Sequence, residues 1–329
     1  MENAELGTDI LKGVSRSFYL TLRLLPSGFR EPMSLGYLLA RLSDTIADAG
    51  TVDVEKRREL LEQFRIMMSA PAKHLEARRF ARDLPSQFQD AALPRSEWDL
   101  VLRAADCFEW LEAMDRKLSR HIRKVVGIIT EGQSWDLERF EGEGIVRVSD
   151  DEELELYAYR VAGSVGEFWT EVGFACQEKF SSESRHTLLK WGSNYGKGLQ
   201  LVNVLRDLPE DLERGRCYLP GEGEAVPDEL RKVLPRWRTR ARELLDDGFR
   251  YTATLHGVKL RTATGLPALL GVKTLDRLKV ASWSDLERGV KISRKQVKWS
   301  LAEAFAMSVP GLPGSWRGRH RRTCQGAQS

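Results

Sequence analysis

Tyr37-Leu-Leu-Ala-Arg41-Leu-Ser-Asp44-Thr-Ile-Ala-Asp48 and, about 160 residues further along, Gln200-Leu-Val-Asn203-Val-Leu-Arg206-Asp207-Leu-Pro-Glu-Asp211 decide how this chain is read. Each contains Asp-x-x-x-Asp, so on a helix its two carboxylates lie one turn apart on the same face. In the first, Tyr37, Arg41, Asp44 and Asp48 fall on one stripe, while Leu38, Leu39, Leu42 and Ile46 lie away from it, available for packing. In the second, Gln200, Asn203, Asp207 and Asp211 share a face, with Leu199, Val202 and Leu205 left to pack. Either spacing alone is that of many solvated helix faces. Two such faces turned toward each other inside a bundle would make a poor core. Carboxylate and amide oxygens are, however, hard ligands that suit Mg2+, which takes one or two carboxylates and keeps positions for water and phosphate. The expected role is a metal cage for a diphosphate, with Arg41 as a permanent cation beside it.

The bulk numbers are compatible with that role. An apolar share of 42% in 329 residues is ample for a large core, and 30% charged residues describe a soluble chain. No stretch approaches the roughly 18 to 20 apolar residues of a membrane-spanning helix. Met1–Asp9 lacks the basic start and apolar run of a signal peptide, so a cytoplasmic location is expected. Cys107, Cys176, Cys217 and Cys324 are scattered, without metal-ligand spacing, and read as free thiols in a reducing compartment. The formal charge is +3; removing the +4 of Arg317, Arg319, Arg321 and Arg322 leaves −1 for the rest, which argues against a nucleic-acid partner.

Helical periodicity dominates. Runs at Glu55–Met68, Trp98–Ser119, Glu152–Glu171, Ser184–Arg206 and Asp228–Leu255 have apolar residues three and four apart. Strand signals are missing. Breaks are expected where Pro and Gly gather, at Pro26–Gly28, Ala70–Pro71, Glu141–Gly144, Leu219–Pro227 and Gly265–Gly271. Pro209 should end or bend the second acidic helix early. The expected fold class is all-α, one large helical domain over residues 1–309. Residues 310–329 form a basic Gly/Pro/Arg-rich tail, solvated and disordered by composition, with a weak contact to anionic lipid through Trp316 and its arginines as the minority alternative.

Three further segments carry chemistry. Downstream of the second acidic motif, Arg214, Arg216 and Tyr218 follow in Glu-Arg-Gly-Arg-Cys-Tyr-Leu-Pro, where Gly215 lets the chain turn and brings both arginines back over the site. Tyr157-Ala-Tyr159-Arg160-Val161-Ala-Gly163-Ser164-Val-Gly166 has glycines three apart, which admit a close helix or a bulky apolar substrate equally well. Ser15-Arg16-Ser17-Phe18-Tyr19 places hydroxyls and a guanidinium at a helix start, where anions are favoured.

Together, Ser-Arg-Ser-Phe, Tyr-x-x-x-Arg-x-x-Asp-x-x-x-Asp, Tyr-x-x-x-Val-Ala-Gly-x-Val-Gly and Gln-x-x-Asn-x-x-Arg-Asp-x-x-x-Asp resemble the squalene/phytoene synthases, head-to-head prenyl synthases, in order and spacing from about Ile10 to Leu219. Val290-Lys-Ile-Ser-Arg294 is family-like but less specific. The resemblance implies the isoprenoid synthase fold, a helical bundle around a central apolar cavity. It implies that Asp44, Asp48, Asn203, Asp207 and Asp211 ligate Mg2+ ions that hold diphosphate. It assigns Arg16, Ser17, Arg41, Arg206, Arg216 and Tyr218 to the diphosphate or its departure, and Phe18, Tyr37, Tyr157, Val161 and Gln200 to the prenyl tunnel and the rearrangement cavity. Arg160 stands where the family often has an aromatic residue or His. The stretch Tyr37–Asp48 looks more like the squalene synthases, and Gly215–Pro220 more like bacterial phytoene synthases. The expectation is squalene formation from two farnesyl diphosphates with Mg2+ and NADPH, the last by resemblance alone, since no Gly-x-Gly-x-x-Gly follows a strand. The alternatives are phytoene or dehydrosqualene formation, a terpene cyclase acting on one diphosphate, or a non-catalytic lipid-binding or assembly factor of the same fold.

Overall fold

A computed structural model describes residues 6–15, 18–69, 73–89, 91–221, 223–309 and Trp316. They divide into two compact units, Met1–Glu138 with Glu171–Gln177, and Arg139–Thr170 with Glu178–Ser329.

The first unit opens on a π-helical turn, Leu6–Ile10, followed by α1 (Leu11–Ser15), α2 (Phe18–Leu24), α3 (Ser27–Asp48), α4 (Val54–Ser69) and α5 (His74–Asp83). A 3-10 turn at Leu84–Phe88, α6 (Arg95–Leu102), α7 (Ala104–Ala113) and α8 (Arg116–Arg139) complete it. The apolar side of the first acidic helix does what its spacing requires. Leu38, Leu39, Leu42 and Ile46 are fully buried where α3 packs on α4, α6 and α7. Each contributes roughly 1.5–3 kcal/mol by leaving water. Phe64 of α4 sits at the centre, edge-on to Phe80 and Phe108 with ring centroids 6.3 and 5.8 Å away.

In the second unit, α9 (Asp151–Ala158) runs through a π-helical turn, Tyr159–Gly163, into α10 (Ser164–Cys176), whose residues from Glu171 onward are counted with the first unit. Then come α11 (Arg185–Glu213), α12 (Pro227–Thr254), α13 (Val258–Val280), α14 (Trp283–Glu287) and α15 (Arg294–Ser308). Helix α11 is its spine, packing along α12 and against the π turn and α13. The glycines of the Val-Ala-Gly segment serve close packing: a methyl group on Gly166 would collide with the Gly192 carbonyl, and one on Gly196 with the Ala162 carbonyl.

Three expectations are corrected. The run Trp98–Ser119 divides among α6, α7 and α8, because Asp115 accepts hydrogen bonds from the amides of Lys117 and Leu118 (2.9 and 3.2 Å) and starts a new helix. Gly265–Gly271 is no break. It lies within α13, where Gly265 faces Trp316 and Gly271 faces Leu245, so its glycines make room for neighbours. Pro209 does not end α11, which continues to Glu213 with Leu208 and Pro209 buried. Strands are as scarce among the described residues as the missing strand signals imply: β1 (Val146–Arg147) pairs in parallel with β2 (Arg216–Cys217).

Trp316 contradicts the expectation of a solvated or lipid-facing tryptophan. It is 1% exposed, stacks near Phe249 with ring centroids 5.7 Å apart, and donates its indole N–H to Ser308 Oγ at 2.9 Å. The remainder of the 310–329 segment lies outside the described residues. No helix among the described residues is long and apolar enough to cross a membrane.

Candidate active site

In the first unit the acidic face of α3 is assembled by two neighbouring helices. Arg41 donates to Glu97 of α6 at 2.5 Å and lies 3.7 Å from Asp44. Thr45 bonds the other Glu97 oxygen at 3.3 Å, so Glu97 fixes the guanidinium from behind. Desolvation opposes the Arg41 charge, but Glu97 and Asp44 outweigh it and hold the group above its ordinary pKa. From α8, Gln133 donates to Asp44. Desolvation and then the Asp48 carboxylate push the Asp44 carboxyl up to about 7, against Arg41 and Gln133. Because 41% of the Asp44 side chain remains open to solvent, hydration offsets part of that desolvation. The direction stands on two like charges one turn apart. Tyr37 anchors the start of the stripe by donating to the Val14 carbonyl at 3.1 Å. Arg16, Ser17 and the side chain of Phe18 lie outside the described residues.

In the second unit Asp207 is gripped by its own neighbour. Arg206 Nε and Nη2 reach the two Asp207 oxygens at 2.7 and 2.5 Å. Those bonds, against desolvation, hold Arg206 above its ordinary pKa. Asn203 donates to Gln200 at 3.4 Å, and both are half-buried on the same face. Asp211 is half-buried one turn beyond Asp207. Among the described residues no three acids, histidines or cysteines converge on one point. Each helix therefore offers two carboxylates, the number Mg2+ takes when phosphate and water supply the rest.

The short β pairing aims the segment after α11. Gly215 has φ of +77°, a left-handed conformation that glycine adopts without strain, and its carbonyl accepts from Val146 at 2.8 Å. The chain thereby turns so that Tyr218, 5% exposed, stacks on Tyr157 with centroids 4.8 Å apart and meets Phe140 edge-on at 4.9 Å. Val161 lies half-buried in the π turn that follows α9. Arg214 pairs with Glu210 at 2.7 Å and lines a cavity of about 410 Å³ with Arg206, Asp207, Arg288 and Lys291.

Sequence reasoning missed Glu97, Gln133 and Arg288, whereas Lys291 falls in the family-like Val290–Arg294 segment. Gln133 and the buried Asp136 were the detectable ones, two polar residues three apart on the otherwise apolar face of α8. Glu97 looks like any surface glutamate in a first helical turn. Cys107, Cys176 and Cys217 are free, as expected.

A model of the squalene/phytoene synthases matches residues 11–303. The chain is 31% identical over 319 residues to a phytoene synthase of Thermus thermophilus, covering 92% of this chain and 93% of that one. It is 27% identical over 300 residues to a presqualene diphosphate synthase of Zymomonas mobilis, covering 87% and 88%. Against a longer bifunctional lycopene cyclase/phytoene synthase of Blakeslea trispora it spans 33% of the relative's length. A solved squalene synthase from Alicyclobacillus acidocaldarius superposes with a TM-score of 0.57 at 17% identity, over 84% of this chain and 93% of that one. The fold is that of the isoprenoid synthases. The chain belongs to the squalene/phytoene synthase family.

Proposed function

We propose that this chain is a squalene synthase, joining two farnesyl diphosphates head to head through presqualene diphosphate and finishing with hydride from NADPH. The observation that carries this reading is that each Asp-x-x-x-Asp helix of this family member has a guanidinium beside its first carboxylate, Arg41 at Asp44 and Arg206 at Asp207.

The donor set fits a hard divalent ion. Asp44 and Asp48 crowd each other enough to raise the Asp44 carboxyl, and the buried Gln133 Oε1 has no hydrogen-bond partner among the described residues. Asp44 and Asp48 would hold Mg2+ from one motif, and Asn203, Asp207 and Asp211 from the other. Bound there, the ion supplies Lewis acidity toward the departing diphosphate.

The chain's own residues do the rest. Arg206 and Arg216 near the second motif and Arg41 at the first would offer their planar forks to diphosphate oxygens, a role the family resemblance extends to Tyr218, Arg16 and Ser17. The allylic C–O bond breaks with its electron pair leaving on diphosphate. The resulting cation is captured by the double bond of the second substrate, and proton loss closes the cyclopropane. Tyr157, stacked with Tyr218, offers an aromatic face to that cation. The family resemblance assigns Phe18, Tyr37, Val161 and Gln200 to the prenyl tunnel and rearrangement cavity, where water has to be excluded because it would trap the cation as an alcohol.

The Gly215–Pro220 turn and the likeness to the Thermus phytoene synthase favour phytoene or dehydrosqualene formation as the second reading. The purified protein is incubated with farnesyl or geranylgeranyl diphosphate, Mg2+, and NADPH present or absent, with products read by mass spectrometry. Squalene with NADPH and presqualene diphosphate without it are expected. Preference for the longer substrate, or a hydrocarbon formed equally well without NADPH, moves the assignment to the second reading. A reaction that stops at presqualene diphosphate with NADPH present removes the reductive step.

A further inference from the structure

A basic concavity in the first unit shares no residue with either acidic motif. It is a cavity of about 710 Å³, lined entirely by residues of the first unit. One wall is a stripe of α8 on which Arg116, Arg120 and Arg123 recur every three or four residues, with Lys124 beside them. Arg65 of α4 and His74 of α5 stand on other walls. Its two acids, Glu112 and Glu131, attract Arg123 and Arg65 respectively, and are outnumbered by the four arginines and one lysine of the lining. Glu112 is taken by Arg78 at 2.6 Å, and Arg65 is satisfied outside the cavity by Glu62 at 2.6 Å. Arg116, Arg120 and Lys124 are exposed and form no ion pair among the described residues.

Arg123 is the informative member. It is half-buried, its guanidinium donates to main-chain carbonyls, Met67 at 2.9 Å and Met68 at 3.5 Å, and burial outweighs the attraction of Glu112 and lowers its pKa. A cation withdrawn from water without a carboxylate within pairing distance is held at an electrostatic cost that an anion in the cavity would offset. Several guanidiniums and one ammonium on a single wall match an anion with many oxygens, and the planar fork of Arg matches phosphate geometry. Between these cations the lining is apolar, through Met68, Met114 and Ile128. The volume is that of a small-molecule site and not of a flat face for a duplex.

We propose that this cavity binds a phosphate- or diphosphate-bearing amphiphile, its anionic head on Arg116, Arg120 and Arg123 and its apolar part against Met68 and Ile128. The head could arrive on a free prenyl-type diphosphate or on a membrane phospholipid, and both sources share this chemistry. The site does not depend on the proposed reaction, because neither acidic motif contributes to it.

The test is run on the full chain in excess chelator, where metal-dependent capture at the acidic motifs is silent. Calorimetry with inorganic diphosphate and with farnesyl diphosphate forms one arm. Co-sedimentation with phosphatidylcholine vesicles, with and without phosphatidic acid, forms the other. Wild-type protein and Asp207→Asn bind alike, whereas Arg116→Ala/Arg120→Ala weakens binding by about tenfold or more, at unchanged thermal melting. Lys124→Glu, a single exposed change, weakens it in the same direction. Binding of farnesyl diphosphate assigns the free ligand, and binding only to phosphatidic acid vesicles assigns the lipid. If the double variant binds both probes like wild type, or wild type binds neither, the site is overturned. Equal affinity for inorganic and farnesyl diphosphate overturns the amphiphile.

Discussion

Arg206 and Asp207 are chain neighbours joined by two hydrogen bonds, and that pair shows how much of the candidate site lives in single side chains. The carboxylate holds the guanidinium that the proposed function turns toward substrate. Asp44 is likewise contacted by Arg41 and Gln133, although burial and the Asp48 carboxylate still raise its carboxyl to about 7. Asp44→Asn and Asp207→Asn should each lower turnover by about a hundredfold or more, since removing a hard ligand weakens metal binding. Thermal melting of Asp44→Asn should stay level or rise, because that substitution also removes the repulsion from Asp48. Near-normal turnover in either variant would remove the acidic motifs from the mechanism. At this scale the candidate residues were legible because their spacing is a helical repeat. Glu97 was not, because its meaning depends on Arg41 lying across the helix interface.

Between elements, the crossing of α11 with the π turn and α10 depends on absent side chains. Gly196→Ala or Gly166→Ala forces a methyl group into a main-chain carbonyl, and a destabilisation of about 3 kcal/mol is expected, read as a lower melting temperature. Unchanged melting would mean that the helices separate freely. A second tie joins three helices: Glu155 of α9 accepts from Lys197 of α11 at 2.8 Å and from Arg240 of α12 at 2.6 Å. Burial alone would raise Glu155, but those two partners overcome it and the carboxyl ends below its ordinary value of 4.5. A depressed carboxyl contributes stability above its unfolded pKa and loses it as pH falls through the folded one. Glu155→Gln should therefore cost about 1–3 kcal/mol near neutrality, and its deficit against wild type should shrink below pH of about 4.5 in acid titrations followed by circular dichroism. A deficit that stays constant with pH would show packing, not charge, to be the cause. The helix through Pro209 was misjudged for a related reason. Proline's local cost is real, yet burial of Leu208 and Pro209 against the rest of the second unit outweighs it.

For the molecule as a whole, Trp316 is the residue that composition misreads most. Truncation after Val309 should destabilise the chain by about 3–5 kcal/mol, as loss of a buried Trp does, and Trp316→Ala should reproduce most of that loss in thermal melting. A truncated protein that melts like wild type would make the Phe249 and Ser308 contacts incidental. The sequence by itself determined the helical class, the two Asp-x-x-x-Asp faces and their guanidinium neighbours, because period, spacing and local charge are written along the chain. Only the tertiary structure decided that Gln133 holds Asp44, that Tyr157 stacks on Tyr218, that glycines at 265 and 271 sit within a helix, and that α8 turns Arg116, Arg120 and Arg123 into one cavity wall. Those outcomes join residues far apart in sequence. They are set by which surfaces exclude water together, a property of the packed chain that no local window contains.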